Sequence, residues 1–228
     1  LSPLDIRGAV NAYGAPRWLT SVRAGIEVQD NGEVSAGDVN ADGRADFVRF
    51  APDGVWVSLS VGQGCGEPQQ WNTSYSNAQG WNDSRFIRRV GDVNGDGAAD
   101  VVGFGYGVWV SLSEAGHQPP RGAIRFGAPQ GWSGGLTGPQ WDGRPRFVAD
   151  VNGDGCADAV GFSAFDVQVA LATPCRPAQG VYATGFAAPT IWSGSSNGLA
   201  ADMVGPGWES RPRMVADVTG DGRADLVG

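Results

Sequence analysis

A nine-residue acidic pattern, Asp-x-(Asn/Thr)-x-Asp-Gly-x-x-Asp, occurs four times in this chain of 228 residues. We number the copies loop 1 (38–46), loop 2 (92–100), loop 3 (150–158) and loop 4 (217–225). Each copy offers carboxylates at positions 1, 5 and 9, a side-chain oxygen at position 3 and a backbone carbonyl at position 7. Oxygen ligands of this kind, about six to eight per ion, are what Ca²⁺ prefers. The pattern therefore predicts four calcium-binding loops, with the glycine at position 6 at positive φ.

The predicted ligands follow directly from the pattern, and the residue at position 7 contributes its carbonyl oxygen. They are Asp38, Asn40, Asp42, Arg44 and Asp46 in loop 1; Asp92, Asn94, Asp96, Ala98 and Asp100 in loop 2; Asp150, Asn152, Asp154, Cys156 and Asp158 in loop 3; and Asp217, Thr219, Asp221, Arg223 and Asp225 in loop 4. Loop 4 has a hydroxyl at position 3 where the others have an amide, which is usually the better calcium ligand. We therefore expect loop 4 to bind most weakly.

The segments around the loops indicate strands rather than the helices of an EF-hand. An EF-hand has Glu at position 12, whereas this chain has Arg49, Gly103, Gly161 and Gly228 there. A short β-branched or aromatic segment follows each loop, and in three repeats a second one follows with period-two alternation, at 54–60, 107–113 and 166–172. Valines alternate with Trp56 and Ser58 in the first of these.

These features recur together, so the whole chain is an array of repeats with about four short strands each. Repeats of this period that are rich in Gly and Trp, without a long amphipathic helix, predict an all-β fold. We expect a β-propeller of four-stranded antiparallel blades with a calcium loop in each repeat, and a β-sandwich is the alternative. Residues 1–228 would form one domain, either with a terminal blade completed by both ends of the chain or as part of a larger propeller.

Composition sets weak limits on partners and location. The net charge is −8, but loop carboxylates make up half of the 24 acidic residues, so the charge argues only weakly against nucleic acid. No long apolar run predicts membrane insertion. Three cysteines without a C-x-x-C spacing predict neither zinc nor a redox motif, and a bridge from Cys65 to Cys175 looks geometrically awkward. Calcium loops and a start at Leu1 favour a secreted protein, and the oligomeric state is open.

The acidic pattern followed by Val-Gly-Phe and Val-Trp-Val-Ser-Leu-Ser resembles the FG-GAP (VCBS) repeats of integrin-α-type β-propellers. The fuller unit, with Trp and then Arg-Pro-Arg before the loop, is similar to fungal lectins of the Psathyrella velutina type. That resemblance implies a propeller that binds N-acetylglucosamine-type sugars between blades, with calcium stabilising the blades. Glycans or glycoproteins are the partners it implies.

Aromatic faces and planar polar groups are the usual means of holding a pyranose. The candidate carbohydrate-binding residues are Trp81, Trp141, Arg144, Arg146, Trp208, Arg211 and Arg213. The alternative for each Trp is packing between blades. For the protein as a whole, a protein-binding adhesion module is the second hypothesis. An enzyme is the least favoured, because the single His117 has no catalytic partner motif and no catalytic residue can be named.

Overall fold

We analysed a computed structural model, which describes residues 33–61, 64–115, 125–132, 135–194, 204 and 211–228. These residues form eighteen β-strands and three short 3-10 helices, and none of them lies in an α-helix. By their contacts they divide into two compact units. The first comprises Leu1–Asp83, Gly97–Val101 and Ser111–Pro129, and the second comprises Ser84–Asp96, Val102–Val110 and Gln130–Gly228.

The first unit contains one four-stranded sheet and a small ladder. Its strands are β1 (Glu33–Gly37), β2 (Asp46–Ala51), β3 (Gly54–Ser58), β4 (Ser60–Val61), β5 (Gly64–Cys65) and β6 (Gln69–Asn72). The sheet has the order β1-β2-β3-β6 with every pair antiparallel, and β4 pairs with β5. A 3-10 helix, Asn77–Gln79, follows β6. Because loop 1 separates β1 from β2, the loop lies at one end of a four-stranded blade.

The second unit repeats this arrangement. Its strands are β7 (Ile87–Gly91), β8 (Asp100–Phe104), β9 (Val108–Ser111), β10 (Gln130–Trp132), β11 (Arg146–Ala149), β12 (Asp158–Phe162), β13 (Asp166–Ala170), β14 (Ala172–Thr173), β15 (Gly185–Phe186), β16 (Thr190–Gly194), β17 (Met214–Ala216) and β18 (Asp225–Val227). The end residues Asp100, Val101 and Ser111 belong to the first unit. The 3-10 helices are Pro139–Trp141 and Pro177–Gln179.

Two four-stranded sheets and two ladders result from these strands. The sheets have the orders β10-β9-β8-β7 and β11-β12-β13-β16, and the ladders are β14–β15 and β17–β18. Loop 3 separates β11 from β12, and loop 4 separates β17 from β18. The predicted four-stranded antiparallel unit with an acidic loop in each repeat is therefore confirmed. The structure places that loop between the first two strands of each four-stranded sheet.

Strands β2, β8 and β12, the second strand of each four-stranded sheet in chain order, are buried on both faces. In β3 the side chains of Val55 and Val57 are buried on one face of the sheet, and that of Ser58 is buried on the other face. Ser58 Oγ donates a hydrogen bond of 2.5 Å to the carbonyl of Gly66, so its polar atom is satisfied inside. A strand buried on both faces needs neighbours on both sides, which is the situation of a blade in a stack.

A hydrophobic cluster in the second unit is built around β12 and β13. Its buried members are Val151, Val160, Phe162, Val167, Val169 and Val204. Burying each such side chain contributes about 1.5–3 kcal/mol relative to leaving it in water. Phe147 packs against the cluster from β11 with its ring edge-on to Phe162, at a centroid distance of 5.8 Å. The cluster thus fixes the strands that carry loop 3.

The structure leaves part of the domain prediction open. Residues 1–32 and 205–210 lie outside the described residues, so a blade completed by both ends of the chain stays a prediction. Trp208 and His117 also lie outside them. Among the described residues, no helix is long and apolar enough to cross a membrane.

Candidate functional site

The backbone of the acidic loops turns as the pattern predicts. The position-6 glycines have φ between 83° and 91°: Gly43, Gly97, Gly155 and Gly222. Position 4 is also at positive φ, and there the chain has glycine in three loops but Ala41 in loop 1, with φ 58°. Ala41 is the one non-glycine residue with positive φ among the described residues. The predicted positive φ at position 6 is confirmed.

The position-1 carboxylate folds back over each loop. In loop 1, the backbone N–H of Asp42 donates to Oδ1 of Asp38 at 3.1 Å, and the N–H of Gly43 donates to Oδ2 at 2.7 Å. In loop 4, Asp217 accepts in the same way from Gly220 at 2.6 Å and from Gly222 at 3.0 Å. These bonds hold the carboxylate against the turn, where the other oxygens converge.

Positions 3 and 5 are in direct contact in the three loops that have Asn. The distance from the Asn Nδ2 to the Asp Oδ2 is 3.2 Å in loop 1, 2.8 Å in loop 2 and 3.0 Å in loop 3. The Asn Oδ1 accepts from the backbone N–H at position 5, at 3.1, 3.0 and 2.8 Å respectively. Amide and carboxylate oxygens are therefore held within one small volume of each loop.

The position-9 carboxylate is buried and anchors the loop to its sheet. In loop 1, Asp46 has no exposed surface and accepts from the N–H of Ser60 at 2.7 Å and of Val39 at 3.1 Å. Burial raises the pKa of Asp46 to about 6, against the opposing effect of these hydrogen bonds. Burial likewise raises the pKa of Asp158, at the same position of loop 3, to about 7. A buried carboxylate beside two others is a site where a cation would relieve electrostatic cost.

A disulfide joins loop 3 to a later segment. Cys156, at position 7, bonds to Cys175 with an S–S distance of 2.04 Å, and Cys65 is half-buried and reduced. Asp154 and these two sulfurs lie within 4.8 Å of one another. The sulfurs are bonded to each other and are poor metal ligands in that form, so the group is not a separate metal site. The sequence did not indicate this bridge, and the pair considered above was Cys65 with Cys175.

A small cavity of about 60 Å³ opens in the second unit, away from the loop oxygens. Its lining is Arg85, Phe86, Gly105, Tyr106, Gly138, Pro139, Asp142 and Arg146. Tyr106, at the tip of the β8–β9 hairpin, is 86% exposed and its ring meets Phe86 edge-on at a centroid distance of 5.0 Å. Arg85 and Asp142 form an ion pair of 3.1 Å between half-exposed side chains. The cavity thus combines aromatic surface with charged donors and acceptors.

Arg146 forms the inner wall of this cavity. Its side chain is 2% exposed, and it donates to the carbonyls of Leu136 at 3.3 Å and Arg85 at 2.7 Å. Its Nε is buried and has no hydrogen-bond partner. Burial lowers the pKa of Arg146 to about 10, with the charge of Arg89 adding to the effect, so the guanidinium stays charged at neutral pH. An unpaired buried donor is a place where an acceptor oxygen would be stabilised.

The structure separates the predicted carbohydrate residues. Trp141 is 2% exposed, and a Cβ on Gly161 would lie 2.5 Å from its Cζ3, so the ring packs closely against β12 and is not accessible to a sugar. It is a packing residue, as the alternative interpretation of the tryptophans had it. Trp81 is half-buried against Tyr75 at a centroid distance of 5.1 Å.

The predicted arginines also have different positions. Arg146 lines the cavity, whereas Arg213 is buried over the ring of Phe162. Arg144 is half-buried and Arg211 is exposed, and neither lines the cavity. The residues that line the cavity but were not predicted as site residues include Arg85, Phe86, Tyr106 and Asp142. Tyr106 stands between two glycines, Gly105 and Gly107, and that placement of an aromatic at a hairpin tip could have indicated it.

Comparison with known proteins agrees with this architecture. The family model of the FG-GAP-like repeat matches residues 38–103, which contain loops 1 and 2. A lectin of Agrocybe aegerita has a similar structure, with 30% sequence identity and a TM-score of 0.64 over 88% of this chain. The fold is a β-propeller, and its residues 38–103 match the FG-GAP-like repeat.

The lectin's structure was described as the basis for specific recognition of non-reducing terminal N-acetylglucosamine. This chain covers 46% of that lectin, so it spans about half of the lectin's length. No curated protein sequence matches the chain. The family-model match and the similarity to the fungal lectin confirm the predicted resemblance to FG-GAP propellers and fungal lectins.

Proposed function

We propose that this chain is a glycan-binding β-propeller, a lectin that binds terminal N-acetylglucosamine-type sugars and does no chemistry on them. The observation that carries the proposal is the 30% sequence identity to a lectin of that specificity over 88% of this chain. The cavity beside Arg146 supports it with the groups that sugar recognition uses. Glycans and glycoproteins on surfaces are then its partners.

Each group in the cavity has a definite part in this proposal. The exposed ring of Tyr106 is a platform for the apolar face of a pyranose. Arg146 Nε donates to an acceptor oxygen, and Asp142 accepts from a sugar hydroxyl while its other contact to Arg85 holds it in place. A neutral sugar can make all three of these contacts at once, because none of them requires the ligand to carry a net charge.

The binding test compares two exposed aromatic residues at corresponding hairpin tips. We expect Tyr106→Ala to weaken binding to an N-acetylglucosamine-coated surface about 3–10-fold, which corresponds to the typical worth of one aromatic stacking contact. Phe165→Ala is the matched control, because Phe165 is 73% exposed at the β12–β13 tip and does not line the cavity. Equal binding by both variants would place the sugar elsewhere, and a wild-type chain that binds no glycan would refute the lectin proposal.

We further propose that the acidic loops hold Ca²⁺ for stability and not for sugar contact. The donor set of carboxylate, amide and carbonyl oxygens fits this hard cation, and the FG-GAP-like match includes two of the loops. Without an ion, three carboxylates per loop repel one another, so calcium binding adds to folding stability. We expect removal of calcium to lower the melting temperature by several degrees at least, and an unchanged melting temperature would contradict the proposal.

A secreted location is part of the same proposal. The Cys156–Cys175 disulfide supports it, because disulfides form and persist in oxidising compartments. Millimolar free calcium outside cells would also fill loops of modest affinity. Fractionation of the producing culture would test this directly, and recovery of the protein only inside cells with both cysteines reduced would contradict it.

A further inference from the structure

One backbone hydrogen bond joins each acidic loop to the next. The N–H at position 8 of one loop donates to the carbonyl of the position-1 aspartate in the loop before it. The pairs are Ala99 to Asp38, Ala157 to Asp92 and Ala224 to Asp150, each with an N···O distance of 2.7 Å. Identical geometry in three places means that this bond is a property of the repeat and not of one sequence.

Side chains also make contacts where consecutive loops meet, and we call each such contact region a joint. A Cβ on Gly153, at position 4 of loop 3, would lie 3.1 Å from Cγ of Arg223, at position 7 of loop 4. A Cβ on Gly95, at position 4 of loop 2, would lie 2.7 Å from Sγ of Cys156, at position 7 of loop 3. In these two joints the position-7 side chain of one loop therefore rests on the position-4 glycine of the preceding loop, where a Cβ would crowd it.

A third contact comes from the segment after the third strand of the repeat. Ser113 Oγ donates to the carbonyl of Val39 in loop 1 at 2.6 Å, and the N–H of Ala183 donates to the carbonyl of Asn94 in loop 2 at 3.0 Å. In the latter case the disulfide of Cys175 ties the segment to loop 3. Loops 1, 2 and 3 are thus each held by the repeat that follows them.

We propose that consecutive loops bind calcium cooperatively, so that an ion in one loop raises the affinity of the adjacent loop. The inference rests on the calcium proposal above. Position 8 lies between two ligands, the carbonyl at position 7 and the carboxylate at position 9. An ion that orders these ligands also fixes the N–H at position 8. That N–H holds the backbone of the position-1 ligand of the preceding loop. The preceding loop therefore loses less conformational entropy when it binds its own ion.

The test compares two variants that each retain two loops and carry the same number of substitutions. In the adjacent variant, loops 1 and 2 are disabled by Asp→Asn changes at positions 1 and 5 (Asp38, Asp42, Asp92 and Asp96), which leaves loops 3 and 4. In the separated variant, loops 1 and 3 are disabled in the same way (Asp38, Asp42, Asp150 and Asp154), which leaves loops 2 and 4. Asparagine keeps an acceptor for the backbone N–H groups that hold the loop.

Calcium titration by calorimetry should distinguish the two. We expect the adjacent pair to bind with a Hill coefficient above 1 and a coupling of about fivefold or more in affinity, and the separated pair to bind as two independent sites. Independent binding by both variants, or equal cooperativity in both, would overturn the coupling. If the wild-type chain itself takes up no calcium, the calcium proposal fails and the coupling fails with it.

A milder variant covers the case in which multiple substitutions prevent folding. Arg223→Ala in the otherwise wild-type chain removes the side chain that rests on Gly153 but keeps every ligand oxygen of loop 4. We expect it to lower the Hill coefficient for the whole chain. The control is Arg44→Ala, at position 7 of loop 1, whose described contact is an ion pair of 3.7 Å with Asp42 of its own loop. A Hill coefficient unchanged by Arg223→Ala, or reduced equally by both changes, would contradict the proposed joint.

Discussion

The guanidinium of Arg146 lies over the ring of Phe104, with Cζ 5.7 Å from the ring centroid. The next repeat has the same relationship, with Arg213 over Phe162 at 5.5 Å. In each case the phenylalanine ends the strand that follows an acidic loop, and the arginine comes from the Arg-Pro-Arg segment that opens the following repeat. A cation–π contact between buried partners thus joins consecutive repeats, in addition to the contacts between their loops.

Replacement of Arg146 by alanine should destabilise the fold by about 2–3 kcal/mol. The change removes the contact with Phe104 and the hydrogen bonds to the carbonyls of Leu136 and Arg85, and it leaves those acceptors facing a gap. Urea unfolding monitored by tryptophan fluorescence would measure the loss. Arg144→Ala is the matched control two residues earlier, where the half-buried side chain should contribute less than about 0.5 kcal/mol. Equal losses of unfolding free energy from the two changes would show that the buried contacts of Arg146 do not stabilise the fold.

The parts of the fold that local sequence determines were predictable. Loop boundaries, the positive φ of Gly43 and its counterparts, and the strand after each loop all follow from a nine-residue pattern and its flanks. The valine alternation in β3 likewise corresponds to buried side chains. These features depend on backbone sterics and on side-chain period, which act over a few residues and repeat in every copy.

The cavity could not be predicted, because its parts come from distant positions. Tyr106 comes from a hairpin tip, Arg85 from the entry to β7 and Arg146 from β11. Trp141 depends on distant positions too: its motif predicted a sugar platform, whereas the ring is buried and packs on Gly161, whose lack of a side chain gives it space. The disulfide depended on the distance between loop 3 and the segment after β14, which spacing along the chain does not reveal.

The side-chain methyl group of Ala41 in loop 1 should lower the free energy of unfolding. Ala41 occupies position 4 at φ 58°, where the other loops have glycine, and a left-handed conformation costs a non-glycine residue about 1–2 kcal/mol. Glycine there would relieve that strain but would also gain entropy in the unfolded chain, worth about 0.4–1 kcal/mol. We therefore expect Ala41→Gly to stabilise the protein by up to about 1 kcal/mol in urea unfolding.

The reciprocal change provides the control. Gly220 occupies position 4 of loop 4 at φ 78°, and a Cβ there would meet no atom within 4 Å. Gly220→Ala should therefore destabilise through backbone strain alone, without a steric clash. A stabilising effect of Gly220→Ala, or a destabilisation of more than about 1 kcal/mol by Ala41→Gly, would contradict the strain argument.

The calcium-free chain should gain stability as the pH falls from 7.5 to 5. Burial raises the pKa of Asp46 to about 6 and of Asp158 to about 7, whereas an unfolded aspartate titrates near 3.9. Between about pH 4 and pH 7 the folded chain therefore binds more protons than the unfolded chain, and its free energy of unfolding decreases as pH rises. Asp217, whose pKa is lowered by backbone hydrogen bonds, exerts its effect below this range.

Calcium should reverse the slope, because the ion binds the ionised carboxylates and competes with protons. The measurement is urea unfolding at pH 5.0 and 7.5, once with calcium stripped over a chelating resin and once with calcium in excess. We expect the stripped protein to be more stable at pH 5.0 and the loaded protein to be more stable at pH 7.5. Parallel slopes in the two conditions would show that the buried carboxylates do not interact with the ion.

Loop 4 should be the weakest of the four calcium sites. Its position-3 residue is Thr219, and its position-9 carboxylate, Asp225, is only half-buried, whereas Asp46, Asp100 and Asp158 have no exposed surface. A hydroxyl is a poorer calcium ligand than an amide carbonyl, and a more exposed site competes with more water. Thr219→Asn should therefore tighten the weakest phase of a calcium titration several-fold. Through the coupling of loops 3 and 4 it should affect loop 3 less, and loops 1 and 2 least. The reciprocal change, Asn152→Thr in loop 3, should create a second weak phase. If Thr219→Asn leaves the weakest phase as it was, the weak site lies in another loop and the argument from the position-3 ligand is wrong.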